Sequence, residues 1–262
     1  EEDPEIEFTP RGLFTPHMDY VRTWPIFAGC WQALRRMPAP DRIVVMSTNH
    51  YGIGDGMVCT RLGFETPIGR CDTDPALLEA ILGRVGDRVL ADELDHVAST
   101  GIELQLPWIQ HCWGNIPIIG LLVPDPLQDL IEEDDARIGR SDFMTQLREC
   151  MDEVGGSTVV IGSGDLSHVG PQFGEPRPVD DQRRFDVERQ DRELLGHAVG
   201  GDSEAFTSAI SWNKNPTRWS GAGVVAAMLE LLQPSNVELI DYRQAVNKNQ
   251  TALVSCCGVL MG

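Results

Sequence analysis

The sequence predicts one α/β domain over residues 1–262, with a mostly parallel or mixed sheet flanked by helices. Three observations predict it. Runs at 42–47, 116–123, 158–163 and 251–260 are apolar at successive positions, the pattern of strands buried on both faces. Helix-length segments lie between them, and alternating strands and helices build α/β sheets. Finally, 262 residues without an internal repeat or a low-complexity linker can bury a full core unaided by staples.

Each element has a local reason. A helix is expected over 24–37, ending before Pro38, and the strand 42–47 follows. Helix 74–85 opens on Asp74 as cap with Pro75 at its first position. A helix over 103–112 needs Pro107 in its first turn or is broken by it. Strand 116–123 precedes a helix over 141–154 that starts at Ser141 as cap and stops at Gly155-Gly156. After strand 158–163 come helices at 181–199 and 203–210. Helix 220–232 is apolar on most of its surface, which predicts burial. Strands at 237–241 and 251–260 close the chain, the second with Cys256 and Cys257 on opposite faces. Two segments read as loops: 125–140, with the acidic run Glu132-Glu133-Asp134-Asp135, and the Pro- and Gly-rich 170–179.

Charge excludes some functions. Lys and Arg number 21 against 40 Asp and Glu, a net −19, which argues against nucleic-acid or anionic-membrane surfaces. No run of ~18 apolar residues predicts a membrane-spanning helix. The opening EEDPEIEF has neither a basic nor an apolar leader region, so no signal peptide is expected, although an initiator Met is missing. Seven cysteines without repeated CxxC spacing read as reduced, mostly buried thiols of a cytoplasmic protein.

Three histidines stand where α/β enzymes keep their chemistry. His17 lies in the polar loop Thr15-Pro16-His17-Met18-Asp19-Tyr20. His50 follows strand 42–47, and His168 closes Gly164-Asp165-Leu166-Ser167-His168 after strand 158–163. Ligands of open α/β sheets bind beyond the carboxyl ends of strands. Neutral imidazoles with a carboxylate suit non-haem Fe(II), and a further histidine can move protons. Each histidine taken alone is equally a capping or hydrogen-bonded residue. His96, after Asp92-Glu93-Leu94-Asp95, reads as a surface pair; His111 beside Cys112 is no metal pattern; His197 suits a helix C-terminus. The glycines of 52–56, 162–164 and 221–223 lack the context of a nucleotide loop, and no GxSxG elbow is present.

Five segments in order resemble the Memo family, also called AmmeMemoRadiSam system protein B. They are Pro16-His17-Met18-Asp19-Tyr20, Ser47-Thr48-Asn49-His50, Thr66-Pro67-Ile68-Gly69 followed by Asp72, Glu103-Leu104-Gln105-Leu106-Pro107-Trp108, and Ser163-Gly164-Asp165-Leu166-Ser167-His168-Val169-Gly170. The resemblance spans about residues 12–260. It implies a fold similar to the catalytic subunit of class III extradiol dioxygenases. It also implies iron or copper held by two histidines and a cysteine, with His17 and His50 as the histidines and His168 with Asp165 as the catalytic pair. Two departures stand out. The family's Glu-His-Ser is Ser99-Thr100-Gly101 here, and its cysteine position is Ser220. A hydroxyl ligates Fe(II) or Cu(I) poorly but caps helices well, so Ser220 is expected to cap helix 220–232. Asp19 either supplies the missing anionic ligand or pairs with Arg22.

The resemblance thus implies a mononuclear metal oxidoreductase, dioxygenase-like, acting on a small organic substrate. The alternatives are a catalytically degenerate, metal-free relative that binds a small molecule or a protein partner, and a structural subunit of a larger assembly. Neither nucleic acid nor membrane insertion is expected.

Overall fold

The computed structural model describes residues 6–50, 56–125, 127 and 136–262. The glycines 52 and 54 and the acidic run 132–135 lie outside the described residues. The chain opens with β1 (Gly12–Thr15), a short strand absent from the sequence reading, then α1 (Tyr20–Leu34) and β2 (Arg42–Thr48). Short strands β3 (Val58–Cys59), β4 (Phe64–Thr66) and β5 (Gly69–Cys71) follow, none of them expected, then α2 (Pro75–Val85). Next come α3 (Asp95–Ala98), α4 (Leu106–Trp113), β6 (Ile118–Val123), α5 (Arg140–Val154), β7 (Thr158–Ser163) and β8 (His168–Val169). Helices α6 (Asp181–Val199), α7 (Ser203–Asn213) and α8 (Ala222–Leu232) lead to β9 (Val237–Val246) and β10 (Leu253–Met261).

One mixed sheet runs β3-β6-β2-β7-β1-β10-β8, with β9 on the free side of β10. Strands β6, β2, β7 and β1 are mutually parallel, so their carboxyl ends share one edge. Alternate residues feed two cores. Val44, Met46 and Val160 pack under α2, α5 and α8, while Ile43, Val45 and Ile161 pack under α1 and α4. Cys257 joins the first core and Cys256 the second, as period 2 requires, and all seven cysteines are free.

Local rules hold where they compete with nothing. Asp74 caps α2 by accepting the Leu77 N–H at 2.9 Å, and the same carboxylate takes Arg42 Nε at 2.8 Å. Pro107 does sit in the first turn of α4. Helix α8 is buried almost throughout. Several boundaries differ, three of them for a clear reason. Helix α1 begins at Tyr20, not residue 24, because Asp19 caps it and Pro25 is accommodated inside. Helix α5 is led by Gly139 without a side-chain cap, while Ser141 bonds Glu230 instead. Strand β9 extends to Val246, since β10 supplies a partner along its whole length. Among the described residues no helix is long and apolar enough to cross a membrane.

Candidate active site

Three parallel strands deliver the candidate residues to one edge. His17 stands two residues beyond β1, His50 two beyond β2, and Asp165 two beyond β7; His168 opens β8. Buried Gln105 ties these strand ends together. Its Oε1 accepts from Thr15 Oγ1 at 2.7 Å, and its Nε2 donates to the Pro16 carbonyl at 3.2 Å and Ser163 Oγ at 3.0 Å. A neutral carboxamide both gives and takes here, so β1 and β7 are joined without burying a charge.

The His17 and His50 rings meet edge to face with centroids 4.9 Å apart. Burial first, and then His50, pulls the His17 pKa down to about 4, while a bond to the Ser163 carbonyl partly offsets this. His17 Nδ1 lies 3.4 Å from Ser47 Oγ. Gly101 abuts the same two groups, and a Cβ there would run into Ser47 Oγ and the His17 ring. The glycine of Ser99-Thr100-Gly101 is thus the space in which His17 sits. His50, on the exposed rim, is held below its ordinary pKa by desolvation and then by His168.

His168 is oriented by its backbone neighbours. Its Nδ1 faces the Leu166 carbonyl at 3.0 Å and the Arg218 carbonyl at 3.2 Å. Carbonyls only accept, so the proton resides on Nδ1 and the lone pair on Nε2. Desolvation holds this ring, too, below its ordinary pKa. All three imidazoles are therefore neutral at pH 7. A cleft of about 440 Å³ opens between His50 and His168, lined also by Asn49, Phe173, Arg218 and Ser220.

Asp165 lies beneath this cluster, buried. Its Oδ1 accepts the His17 backbone N–H at 2.9 Å, and desolvation raises its pKa to about 7 despite bonds from the His17 and Met18 amides. Asp19 does not join the rings. Its carboxylate caps α1 and is ion-paired to Arg22 on the surface, so the ligand expectation gives way to the pairing one. Nor does Ser220 cap α8: Gly221 occupies that position with no side-chain bond, and Ser220 Oγ donates to the Asp165 carbonyl at 3.2 Å. The chain must turn tightly against Asp165 here, which leaves the hydroxyl facing that carbonyl and not the free amides of the helix. Among the described residues no three His, Cys, Asp or Glu side chains are grouped to hold a metal.

The remaining histidines divide. His197 occupies the last turn of α6, as expected. His96 is no surface pair: it is buried, and among the described residues neither ring nitrogen makes a hydrogen bond of good geometry, the Val58 backbone being its nearest polar support.

The family profile of Memo-like proteins matches residues 1–260. The chain belongs to the Memo family. A MEMO1 family protein of Methanothermobacter thermautotrophicus is 28% identical over 237 residues, covering 88% of this chain and 76% of that protein. One of Pyrococcus horikoshii is 26% identical over 257 residues, covering 94% and 84%. A Pyrobaculum aerophilum member is 29% identical over 172 residues, and that match spans only 57% of its length. The crystal structure of the uncharacterized protein JW3007 from Escherichia coli K12 superimposes with a TM-score of 0.56 at 16% identity, covering 96% of this chain and 99% of that one, a likeness of fold.

Sequence reasoning missed two parts of the site. Arg218 carried no signal, because a lone arginine between Thr217 and Trp219 has no pattern. Asp191 did carry one. It falls on the buried stripe of α6 with Val187, Leu194, Leu195 and Ala198, where a carboxylate demands donors.

Proposed function

We propose that this Memo protein is a metal-dependent, dioxygenase-like oxidoreductase whose cleft takes a small organic substrate, with His17 and His50 holding a single Fe(II) or copper ion. The observation that carries this reading is the convergence of three neutral imidazoles beyond the carboxyl ends of parallel strands. The donor set fits. Neutral imidazoles bind a cation without first losing a proton. With metal–nitrogen bonds of ~2.1 Å, two imidazoles sharing an ion place their ring centres roughly 5 Å apart, and those of His17 and His50 are 4.9 Å apart. When bound, the ion supplies Lewis acidity and redox chemistry.

The chain's own residues do the rest. His168 offers Nε2 to the cleft and takes a proton from a substrate hydroxyl, and its Nδ1–H stays on the carbonyls that fix the ring. Asp165 is assigned to positioning, since its bonds run to the backbone amides of His17 and Met18. Phe173, edge to face with His168 at 5.2 Å, closes an apolar side of the cleft.

Metal content of protein purified without chelators, followed by anaerobic Fe(II) titration, tests this. The expected result is about one weakly held ion per chain, lost in His17→Ala and in His50→Ala and retained in His168→Ala. Uptake unchanged by both ligand substitutions would overturn it. The second reading is a degenerate relative that uses the cleft for binding alone. It is favoured by Ser220 at the family's cysteine position and by the lack of a third grouped ligand among the described residues. No uptake at all would favour it.

A further inference from the structure

We propose that the cleft seats a small organic carboxylate, gripped by the Arg218 guanidinium, with a hydroxyl of the same molecule facing Nε2 of His168. The proposal rests on the reading of the cleft as the substrate site and leaves the metal aside.

Most polar side chains lining the cleft spend a donor on the protein itself. Thr48 Oγ1 donates to the Ser220 carbonyl at 2.8 Å, Asn49 Nδ2 to Asp95 at 2.7 Å, Asn215 Nδ2 to the Trp219 carbonyl at 3.1 Å, and Ser220 Oγ to the Asp165 carbonyl. Arg218 spends one N–H, on the His168 carbonyl at 3.1 Å. A guanidinium carries five N–H donors in a planar fork matched to carboxylates. The recognition capacity left in the cleft is thus a cationic fork beside a neutral imidazole acceptor. The complement of that pair is an anion with a hydroxyl.

Arg218 is also held in place at a conformational cost. Its φ is +57°, and Lys214 and Asn215 before it are left-handed as well. Non-glycine residues adopt this region at a cost of roughly 1 kcal/mol each. The Arg218 N–H donates to the Asn215 carbonyl at 3.0 Å, and its own carbonyl receives His168 Nδ1. Arginine and histidine therefore clasp one another through both backbones, which fixes the guanidinium relative to the ring. On a chain of net charge −19, a cation in the cleft that has no carboxylate partner among the described residues stands out. The cleft's own carboxylate, Asp125, accepts from its turn at Leu127 N–H, 2.9 Å away, and no ion pair joins it to Arg218 among the described residues. Phe173 and a volume of about 440 Å³ suit a carbon skeleton and not a bare inorganic ion.

The test uses chelator-treated full-length protein, with metal content measured separately. Wild type, Arg218→Gln and Arg218→Lys are titrated with para-hydroxybenzoate, its neutral isostere para-hydroxybenzamide, and inorganic phosphate, followed by amide NMR shifts. Wild type should prefer the acid over the amide by about tenfold, the scale of one charge-assisted hydrogen bond. Arg218→Gln should reduce that preference to within about twofold, and Arg218→Lys should keep part of it. Should the Gln variant fail to fold, the Lys variant decides: its acid-to-amide ratio must drop at least about threefold, as expected when a planar fork becomes a point charge. Equal binding of acid and amide by wild type, an undiminished preference in the decisive variant, no binding of either compound, or phosphate competing as well as the acid would each overturn the proposal. An intact acid preference in a protein that takes up no metal overturns the metal reading alone.

Discussion

Two buried carboxylates lie near the His168 segment and meet opposite fates. Asp191, fully buried, accepts four side-chain donors: Ser167 Oγ at 2.5 Å, Trp219 Nε1 at 2.5 Å, Ser255 Oγ at 2.6 Å and Tyr242 OH at 2.7 Å. Asp165, nearly as buried, receives only backbone amides, and its pKa is raised to about 7. Burial is common to both, so the donor count separates them. Four donors replace the lost hydration and make Asp191 a tie between α6, the residue before β8, β9, β10 and the loop before α8. Two amides do not, and Asp165 stays able to change charge near neutral pH beneath the histidines.

The sharpest way to break this comparison is Asp191→Ala. It strands two hydroxyls, an indole and a phenol, and should cost about 4 kcal/mol. Urea unfolding measures it, and a loss below about 1 kcal/mol would show that these donors find other partners. Gly101→Ala comes next. The added methyl has no room between Ser47 and His17, so about 2 kcal/mol of stability should go. Metal uptake, if His17 carries it, should weaken in the same titration used for wild type.

Asp165→Asn probes the other side of the comparison through pH. The folded pKa, about 7, lies above the ordinary value of 3.8, so the folded state binds more protons between these limits. The stability this group contributes is present below about pH 4 and is lost as pH rises toward 7. Asn, always neutral, should match wild type near pH 3 and gain on it by roughly a further 2 kcal/mol between pH 5 and pH 8. Asp191→Asn should be destabilising at both. Equal pH profiles for wild type and Asp165→Asn would mean that Asp165 titrates normally in the fold.

The smallest effect extends the rule to a buried imidazole. Among the described residues neither nitrogen of buried His96 makes a hydrogen bond of good geometry, and desolvation lowers its pKa to about 4, which the Val58 backbone only partly offsets. His96→Leu should stabilise by about 1 kcal/mol at pH 7. Because the depressed folded pKa costs wild type stability as pH falls through 6.5 toward 4, the gain should be larger at pH 5. Destabilisation at pH 5 would show a partner that neutralises the ring.

The layers of this protein were legible in the chain alone, because the signals for them are local. Doubly apolar runs identified β2, β6, β7 and β10, Asp74-Pro75 marked the start of α2, and the apolar all-round pattern of 220–232 announced a buried helix. The chain also placed His50 and Asp165 beyond strand ends, since both strands are long enough to be read. Long-range contacts set the rest. Strand β1 has four residues and becomes a strand because β7 and β10 flank it, and that flanking carries His17 to the shared edge. Ser220, expected as a helix cap, turns instead to the Asp165 carbonyl 55 residues away, a partner that only the fold brought within reach. The donors of Asp191 lie 24, 28, 51 and 64 residues from it, and Arg218 lies 50 from His168. No periodicity spans such separations. They close only when the sheet order is set, which is why the cleft's cation and the carboxylate behind it were visible in the fold and not in the chain.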